Sequence, residues 1–191
     1  MPWKNGLGTT TEIAVHPPGA ALDAFDWRLS IADLTASGPF STFAGYDRIL
    51  VQIEGAPMTL RHEEGRGERR LRLLHPYRFV GELGTYGELE APARDFNVMV
   101  RRERASAEVS VHELAPALPI HAEGEADVGI IYVLGGEVSV EVDGDPVTLI
   151  AQETLLATSV RRFAVMADQP GAAVILVAIE TKGRFAVPPS T

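Results

Sequence analysis

The sequence predicts an all-β protein made of two small barrels in one chain. Three observations support this: segments in which apolar and polar residues alternate, other segments that are apolar throughout, and dense turn signals between them. The chain has 191 residues, of which 46% are apolar and 23% charged. That composition is sufficient for a buried core and is unlike a disordered or collagen-like chain.

The alternating segments indicate strands with one apolar and one polar face. They are 27–32, 109–112 and 138–143. The uninterrupted apolar runs are rich in β-branched residues and too short for ordinary helices, so we interpret them as strands buried on both faces. They are Ile49–Val51, Ile130–Leu134 and Val174–Ile179. Only 33–43 leaves room for a helix, and its Gly and Pro residues allow no more than one or two single turns.

Two segments in opposite halves of the chain resemble each other. Asp47–Gly55 is an apolar strand that ends in Glu-Gly, and Gly129–Glu137 is an apolar strand that ends in Gly-Gly-Glu. An internal duplication explains this likeness. We therefore expect an N-terminal barrel in residues 1–104 and a C-terminal barrel in residues 105–191, packed together without a flexible linker.

Composition also excludes several classes of function. The chain has no Cys, which excludes disulfide scaffolds, thiolate metal sites and Cys nucleophiles. A net charge of −9 without a long basic run argues against nucleic acid or an anionic membrane surface as partner. The longest apolar run has eight residues, far below the roughly 20 of a spanning helix, and no signal-peptide core is present. We therefore expect a cytoplasmic protein.

The second half contains a hairpin with a specific likeness. Residues 131–144 resemble the central hairpin of a cupin, a small antiparallel jelly-roll barrel that often holds a metal through His and Glu side chains. The positions before the hairpin, 125–129, and the later strand, 159–163, contain no His, and His121 lies too far upstream. We therefore expect no metal and no other cofactor.

The first hundred residues contain an unusual set of polar side chains on predicted strand faces. Arg28 and Ser30 share one face, while Asp95 and Asn97 lie opposite Phe96 on another strand. If the polar faces point into the barrel, they form a closed pocket in which the arginine forks suit a carboxylate. The candidate ligand-binding residues are Trp3, Lys4, Asn5, Arg28, Ser30, Arg48, Asp95, Phe96 and Asn97.

The same residues also allow a purely structural interpretation. Arg28 with Asp26 or Glu12 could form a surface pair worth well under about 1 kcal/mol. Asn5 and Asn97 could bond to their own backbone in turns or bulges, and Trp3 and Trp27 could simply fill the core.

Five blocks in the first hundred residues resemble the HutD/Ves family in order and spacing. They are 3–6 with 10–14, 25–32, 38–41, 47–48 and 94–99. The resemblance implies a bicupin of two tandem jelly-roll barrels without a catalytic metal. It also implies a non-catalytic role in histidine utilisation, in which the protein senses an intermediate such as urocanate or formylglutamate and limits pathway output.

In the predicted pocket we assign roles to the candidate residues. Arg28 and Arg48 are the carboxylate partners, with Lys4 as a weaker candidate. Asn5, Ser30, Asp95 and Asn97 orient the ligand, and the aromatic residues form walls or supporting core. The chain departs from the family pattern at Leu7, where the family usually has Gly.

Two other classes of function remain open at this stage. The first is a metal-free cupin enzyme, such as an isomerase or epimerase, in which Asp95 serves as a base for a small carboxylate. The second is an interaction module whose barrels present a surface to another protein. The cupin resemblance also allows a homodimer that pairs through sheet edges.

Overall fold

The computed structural model describes residues 3, 6–63, 67–142 and 144–182. These residues form fifteen β-strands and contain no helix, which confirms the all-β prediction. The one stretch with room for a helix holds the end of one strand and a second, three-residue strand instead. Within the same residues, no helix is long and apolar enough to cross a lipid bilayer.

The first half of the chain forms two antiparallel sheets that face each other. The first sheet has the order β1-β2-β9-β4-β7, and the second has the order β3-β8-β5-β6. Their strands are β1 (Gly8–His16), β2 (Trp27–Leu34), β3 (Gly38–Phe40), β4 (Tyr46–Gly55), β5 (Thr59–His62), β6 (Glu68–Arg70), β7 (Tyr77–Val80), β8 (Thr85–Glu88) and β9 (Ala93–Arg101).

The second half forms one six-stranded sheet with the order β10-β15-β11-β14-β12-β13. Its strands are β10 (Ala105–Glu113), β11 (Ile120–Gly135), β12 (Glu137–Val142), β13 (Asp145–Ile150), β14 (Thr154–Met166) and β15 (Ala173–Thr181). The boundary that the sequence predicts, between residues 104 and 105, lies at the turn between β9 and β10.

The two halves pack face to face through a continuous apolar core. Alternate residues of β2, β4 and β9 contact alternate residues of β10, β11 and β15. At its centre the rings of Phe96 and Tyr132 lie 5.4 Å apart. Because side chains alternate across a strand, this core takes one face of each central strand and leaves the other face to the interior of its own half.

The two similar segments found in the sequence occupy matching places. β4 pairs with β9 and shifts register between Gln52 and Glu54, and β11 pairs with β15 and shifts register between Val133 and Gly135. Each strand then reaches a glycine with positive φ, at Gly55 and Gly136. A Cβ at either would crowd the backbone of the neighbouring segment, so both positions require glycine for conformation and for close approach.

Candidate functional site

The interior face of the first sheet carries polar side chains in three cross-strand rows. Alternation places every second residue of β2, β9 and β4 on this face. The pairing register aligns Arg28, Met99 and Arg48 in one row, Ser30, Asn97 and Leu50 in the next, and Ala32, Asp95 and Gln52 in the third. The two cations therefore share one end of the face, and the carboxyl lies two rows away.

A cavity of about 470 Å³ lies over these rows, between the two sheets of the first half. Its size is within the range of small-molecule sites, roughly 300–1,000 Å³. Apolar and aromatic side chains form much of its wall, and polar groups are few. The lining residues are Trp3, Thr10, Leu22, Arg28, Ala32, Pro39, Phe40, Ser41, Phe43, Arg48, Asp95, Asn97 and Met99.

Arg48 is held in the wall by aromatic rings. Its side chain is buried, and its guanidinium carbon lies 5.1 Å from the ring centre of Phe79 and 5.4 Å from that of Phe40. One of its nitrogens donates to the Ser41 carbonyl at 3.2 Å, whereas its Nε has no hydrogen-bond partner in the part of the chain described. Burial lowers the pKa of Arg48 to about 10, although the nearby Asp95 acts in the opposite direction. The residue is therefore a cation at neutral pH with an unused donor.

Arg28 is anchored by one residue of the neighbouring strand β1 and one residue of its own strand. Its Nε donates to the Glu12 carboxylate at 2.8 Å, and a terminal nitrogen donates to Ser30 Oγ at 3.3 Å. Arg28 is only 5% exposed, whereas the Glu12 side chain is 43% exposed. These contacts fix the guanidinium plane beside the cavity and leave further donors of its fork available.

Asp95 and Asn97 are buried acceptors without donors. Both carboxylate oxygens of Asp95 and the Oδ1 of Asn97 lack a hydrogen-bond partner among the described residues. Burial raises the pKa of Asp95 to about 7, with the Arg48 charge partly offsetting it. A buried polar group without a partner costs roughly 1–3 kcal/mol, so three such atoms in one cavity indicate a missing partner.

Gln52 shows that this interior can satisfy a polar side chain. Gln52 lies in the same row as Asp95 and is completely buried. Its amide donates to the carbonyls of Glu54 and Ala56, and its oxygen accepts from the Met58 amide at 2.9 Å. Gln52 is therefore a structural polar residue. Asp95 and Asn97, in contrast, line the cavity with acceptors that have no partner among the described residues.

The structure brings together most of the residues predicted from the sequence. Trp3, Arg28, Arg48, Asp95 and Asn97 line the cavity. Ser30 lies beside them and accepts from Arg28. The Trp3 indole donates to Thr10 Oγ1 at 2.7 Å, which holds this ring at the cavity wall.

One predicted residue, Phe96, lies outside the cavity, and two others are not among the described residues. Phe96 lies on the opposite face of β9, fully buried in the core between the two halves, where Trp27 also packs. Because side chains alternate, Asp95 and Asn97 can face the cavity only if Phe96 faces away. Lys4 and Asn5 lie outside the described residues.

The sequence analysis missed most of the apolar wall. Phe40 and Phe43 contact the Arg48 guanidinium and line the cavity, and Leu22 and Met99 also contribute. Phe40 lies in the block 38–41 and Met99 in the block 94–99, whereas Leu22 and Phe43 lie in none of the five blocks. Leu7, the departure from the family pattern, packs over Gly38, where a Cβ would overlap the Leu7 side chain.

Within the described residues, no group of three or more Asp, Glu or His side chains gathers closely enough to hold a metal ion. The cavity instead combines two cationic forks, one carboxyl and an amide with an apolar wall. This set can bind a small anion and orient it by hydrogen bonds.

Comparison with known proteins gives one family match. The family model described as HutD matches residues 1–175. A protein of Cronobacter sakazakii described as Protein Ves is 36% identical over 136 residues, which cover 70% of each chain. A Pseudomonas putida protein described as an uncharacterized 21.2 kDa protein in the hutC 3′ region is 45% identical over 108 residues. That match covers 56% of each chain, so it spans little more than half the length of this relative.

Solved structures match nearly the whole chain. A conserved protein of unknown function from Pseudomonas aeruginosa superposes with a TM-score of 0.87 at 34% identity, covering 94% of this chain and 93% of that one. HutD from Pseudomonas fluorescens, in a formate condition, has a TM-score of 0.81 at 32% identity and covers 96% and 94%. A cupin barrel protein from Leptotrichia buccalis matches at a TM-score of 0.59 and 12% identity, a likeness of fold alone that fits the predicted cupin architecture.

Proposed function

The chain belongs to the HutD family, and from that premise we propose that it binds a small carboxylate in the cavity of its first half and acts as a non-catalytic sensor. The ligand is an intermediate of histidine degradation, urocanate or formylglutamate. Its binding limits histidine utilisation, and the protein works in the cytoplasm.

The observation that carries this proposal is the pair of buried arginines at one end of a single cavity. Arg28 is paired with Glu12, but Arg48 keeps an Nε–H without a partner beside an aromatic wall. A buried guanidinium is costly unless it is paired, and a planar carboxylate matches its fork in both charge and geometry. A ligand carboxylate between Arg28 and Arg48 would supply the missing partner.

The family comparison supports the same ligand chemistry. The HutD structure from Pseudomonas fluorescens is described in a formate condition, and formate is the smallest carboxylate. The cavity of about 470 Å³ has room for a larger molecule with several polar groups.

Calorimetric titration tests this proposal. Urocanate, formylglutamate and formate are titrated into the wild-type protein, into Arg28→Ala and into Arg61→Ala as a matched control. Arg61 is 57% exposed and pairs with Glu68 and Glu88 at the surface, away from the cavity. We expect at least one ligand to bind the wild-type protein with a Kd below the millimolar range. Binding to Arg28→Ala should be at least tenfold weaker, and binding to Arg61→Ala should be unchanged. The absence of binding below millimolar, or equal binding to Arg28→Ala, contradicts the proposal.

One observation favours a second candidate, a metal-free enzyme. A carboxyl whose pKa is raised to about 7 can exchange a proton at neutral pH, as a general acid or base must. Turnover of urocanate or formylglutamate by the purified protein, lost in Asp95→Asn, would support this candidate. Unchanged ligand after prolonged incubation supports the sensor.

A further inference from the structure

The cavity has two chemically different ends, and the proposed carboxylate accounts for only one of them. The Asp95 row lies two rows from the arginine row, with Asn97 between them on the same face of β9. Four residues along a strand separate Cα atoms by roughly 13 Å. A carboxylate against Arg28 and Arg48 therefore leaves the far end of the cavity to another part of the ligand.

All the unsatisfied side-chain atoms at that far end are acceptors. They are the two carboxylate oxygens of Asp95 and the Oδ1 of Asn97. Two donors of the same region are already engaged: the Gln52 amide, in the Asp95 row, donates to backbone carbonyls, and the Trp3 indole, in the cavity wall, donates to Thr10. A donor would satisfy these acceptors, whereas a second carboxylate would be repelled by Asp95 in its ionised form.

We propose that Asp95 and Asn97 form a donor-recognising subsite, so that the ligand of this cavity is a small carboxylate that also carries an N–H group. This inference rests on the proposed function and adds a second recognised group, the N–H, to the carboxylate of the ligand. It covers amides and heteroaromatic N–H groups, and it excludes simple dicarboxylates of similar length.

The charges of the lining side chains support the same division of the cavity into an arginine end and an Asp95 end. The arginine end is cationic, and burial holds the Asp95 carboxyl partly protonated at neutral pH. A donor that approaches Asp95 stabilises its ionised form, and the resulting negative charge lies in the field of Arg48.

The test uses ligand pairs that differ only in the donor. Urocanate is compared with its two ring N-methyl isomers, and formylglutamate with the ester analogue in which oxygen replaces the N–H. Each pair is titrated into the wild-type protein and into Asp95→Leu, which removes both acceptor oxygens at similar volume. Asp95→Asn, which retains one acceptor oxygen, is the conservative variant.

We expect the wild-type protein to prefer the N–H member of the better-bound pair by tenfold or more. Asp95→Leu reduces that preference to less than threefold, and Asp95→Asn retains part of it. If the wild-type protein binds the two members of a pair with affinities within threefold of each other, the subsite proposal is wrong. The carboxylate proposal still stands in that case. A preference that survives unchanged in Asp95→Leu also overturns the subsite. Failure of every ligand to bind overturns the subsite together with the proposed function.

Discussion

The two halves of the molecule present the same strand arrangement with opposite chemistry on their interior faces. β2, β9 and β4 of the first half correspond to β10, β15 and β11 of the second, because the pairing registers coincide. The arginine row Arg28, Met99 and Arg48 corresponds to Glu108, Ala178 and Gly129. The carboxyl row Ala32, Asp95 and Gln52 corresponds to His112, Val174 and Val133.

The difference lies in how each interior is filled. In the second half Val174, Val133 and Ile131 belong to an apolar cluster, against which Phe163 and Leu176 pack. The Phe163 ring lies directly over Gly129, in the space that a side chain would take. In the first half the Arg48 side chain occupies the matching position, beside an open cavity.

The comparison shows that this arrangement of strands can fold without buried polar side chains such as Arg48 and Asp95. In the second half an apolar cluster fills the space beside the matching strands, whereas in the first half three buried acceptors have no partner among the described residues. Unpaired buried groups reduce stability, so their presence, within the described part of the chain, in the first half alone points to ligand binding there.

Transferring the carboxyl to the second half has the largest expected effect. Val174→Asp places a carboxyl in a dry apolar cluster at the position that corresponds to Asp95. We expect the free energy of unfolding to fall by about 4 kcal/mol or more in denaturant titration. Val147→Asp on the exposed face of β13 is the control and changes stability by less than about 1 kcal/mol. A loss below about 1 kcal/mol for Val174→Asp would show that the two interiors are alike.

The pH dependence of stability isolates the carboxyl of the first half. The pKa of Asp95 is about 7 in the folded protein, above its ordinary value of 3.8. Between these values the unfolded chain releases the proton and the folded chain keeps it, so rising pH destabilises the fold by up to about 4 kcal/mol. The effect is complete above pH 7 and absent below pH 4.

Asp95→Asn removes this contribution. Without added ligand, the variant should gain stability relative to the wild-type protein as the pH rises from 4 to 8, measured by denaturant titration at each pH. Parallel pH profiles for the two proteins would mean that Asp95 is already ionised in the native cavity near its ordinary pKa.

Arg48→Met makes the arginine row of the first half resemble its apolar counterpart. Met keeps most of the side-chain volume and the aromatic contacts but removes the charge, and such exchanges at buried ion sites are often neutral or stabilising. We expect carboxylate binding to weaken by 100-fold or more in calorimetry, without a lower midpoint of thermal unfolding. Arg61→Met serves as the exposed control. Weak binding together with a large loss of stability would assign Arg48 a structural role.

Gly129 tests how tightly the second interior is filled. A Cβ at this position would overlap the Phe163 ring, so Gly129→Ala should cost about 1–3 kcal/mol in denaturant titration. Adding Phe163→Leu should recover part of the loss. Gly135→Ala, where the nearest atom lies 3.6 Å from the added Cβ, is the control. Equal effects at both glycines would argue against a filled interior.

The Arg28–Glu12 pair is expected to have the smallest effect. Glu12 is partly exposed, so solvent screens the pair, and Glu12→Gln should cost less than about 1 kcal/mol. Carboxylate affinity should change by no more than about threefold, because Gln keeps an oxygen that can accept from the Arg28 Nε–H. A tenfold loss of affinity in calorimetry would instead make Glu12 essential for orienting the guanidinium.

Strand patterning made much of this site predictable from the sequence. Alternation placed Arg28 with Ser30 and Asp95 with Asn97, and the likeness of 47–55 to 129–137 corresponds to the matched strands β4 and β11. This polar pattern placed the site in the first half, and the family resemblance agreed with that placement. Alternation also separates Phe96 from Asp95, so a strict use of the pattern would have kept Phe96 out of the binding set.

Other features could not be predicted because they depend on contacts between sheets. An apolar residue such as Phe40 or Phe43 has the same sequence signal whether it faces a core or a cavity. The cage around Arg48 also includes Phe79, its cross-strand partner on β7, and the pairing of β7 with β4 was not predicted from the sequence. The sequence also does not show that Asp95 lacks a donor, because this depends on the side chains around it and not on its own strand.

The most direct test of the central claim is a crystal structure of the protein with the ligand that binds best in calorimetry. The account predicts one molecule per chain in the cavity of the first half, with its carboxylate against Arg28 and Arg48 and an N–H donor toward Asp95. It also predicts that the apolar interior of the second half holds no ligand. A ligand bound in the second half, or an empty first cavity at a concentration that saturates in solution, would contradict it.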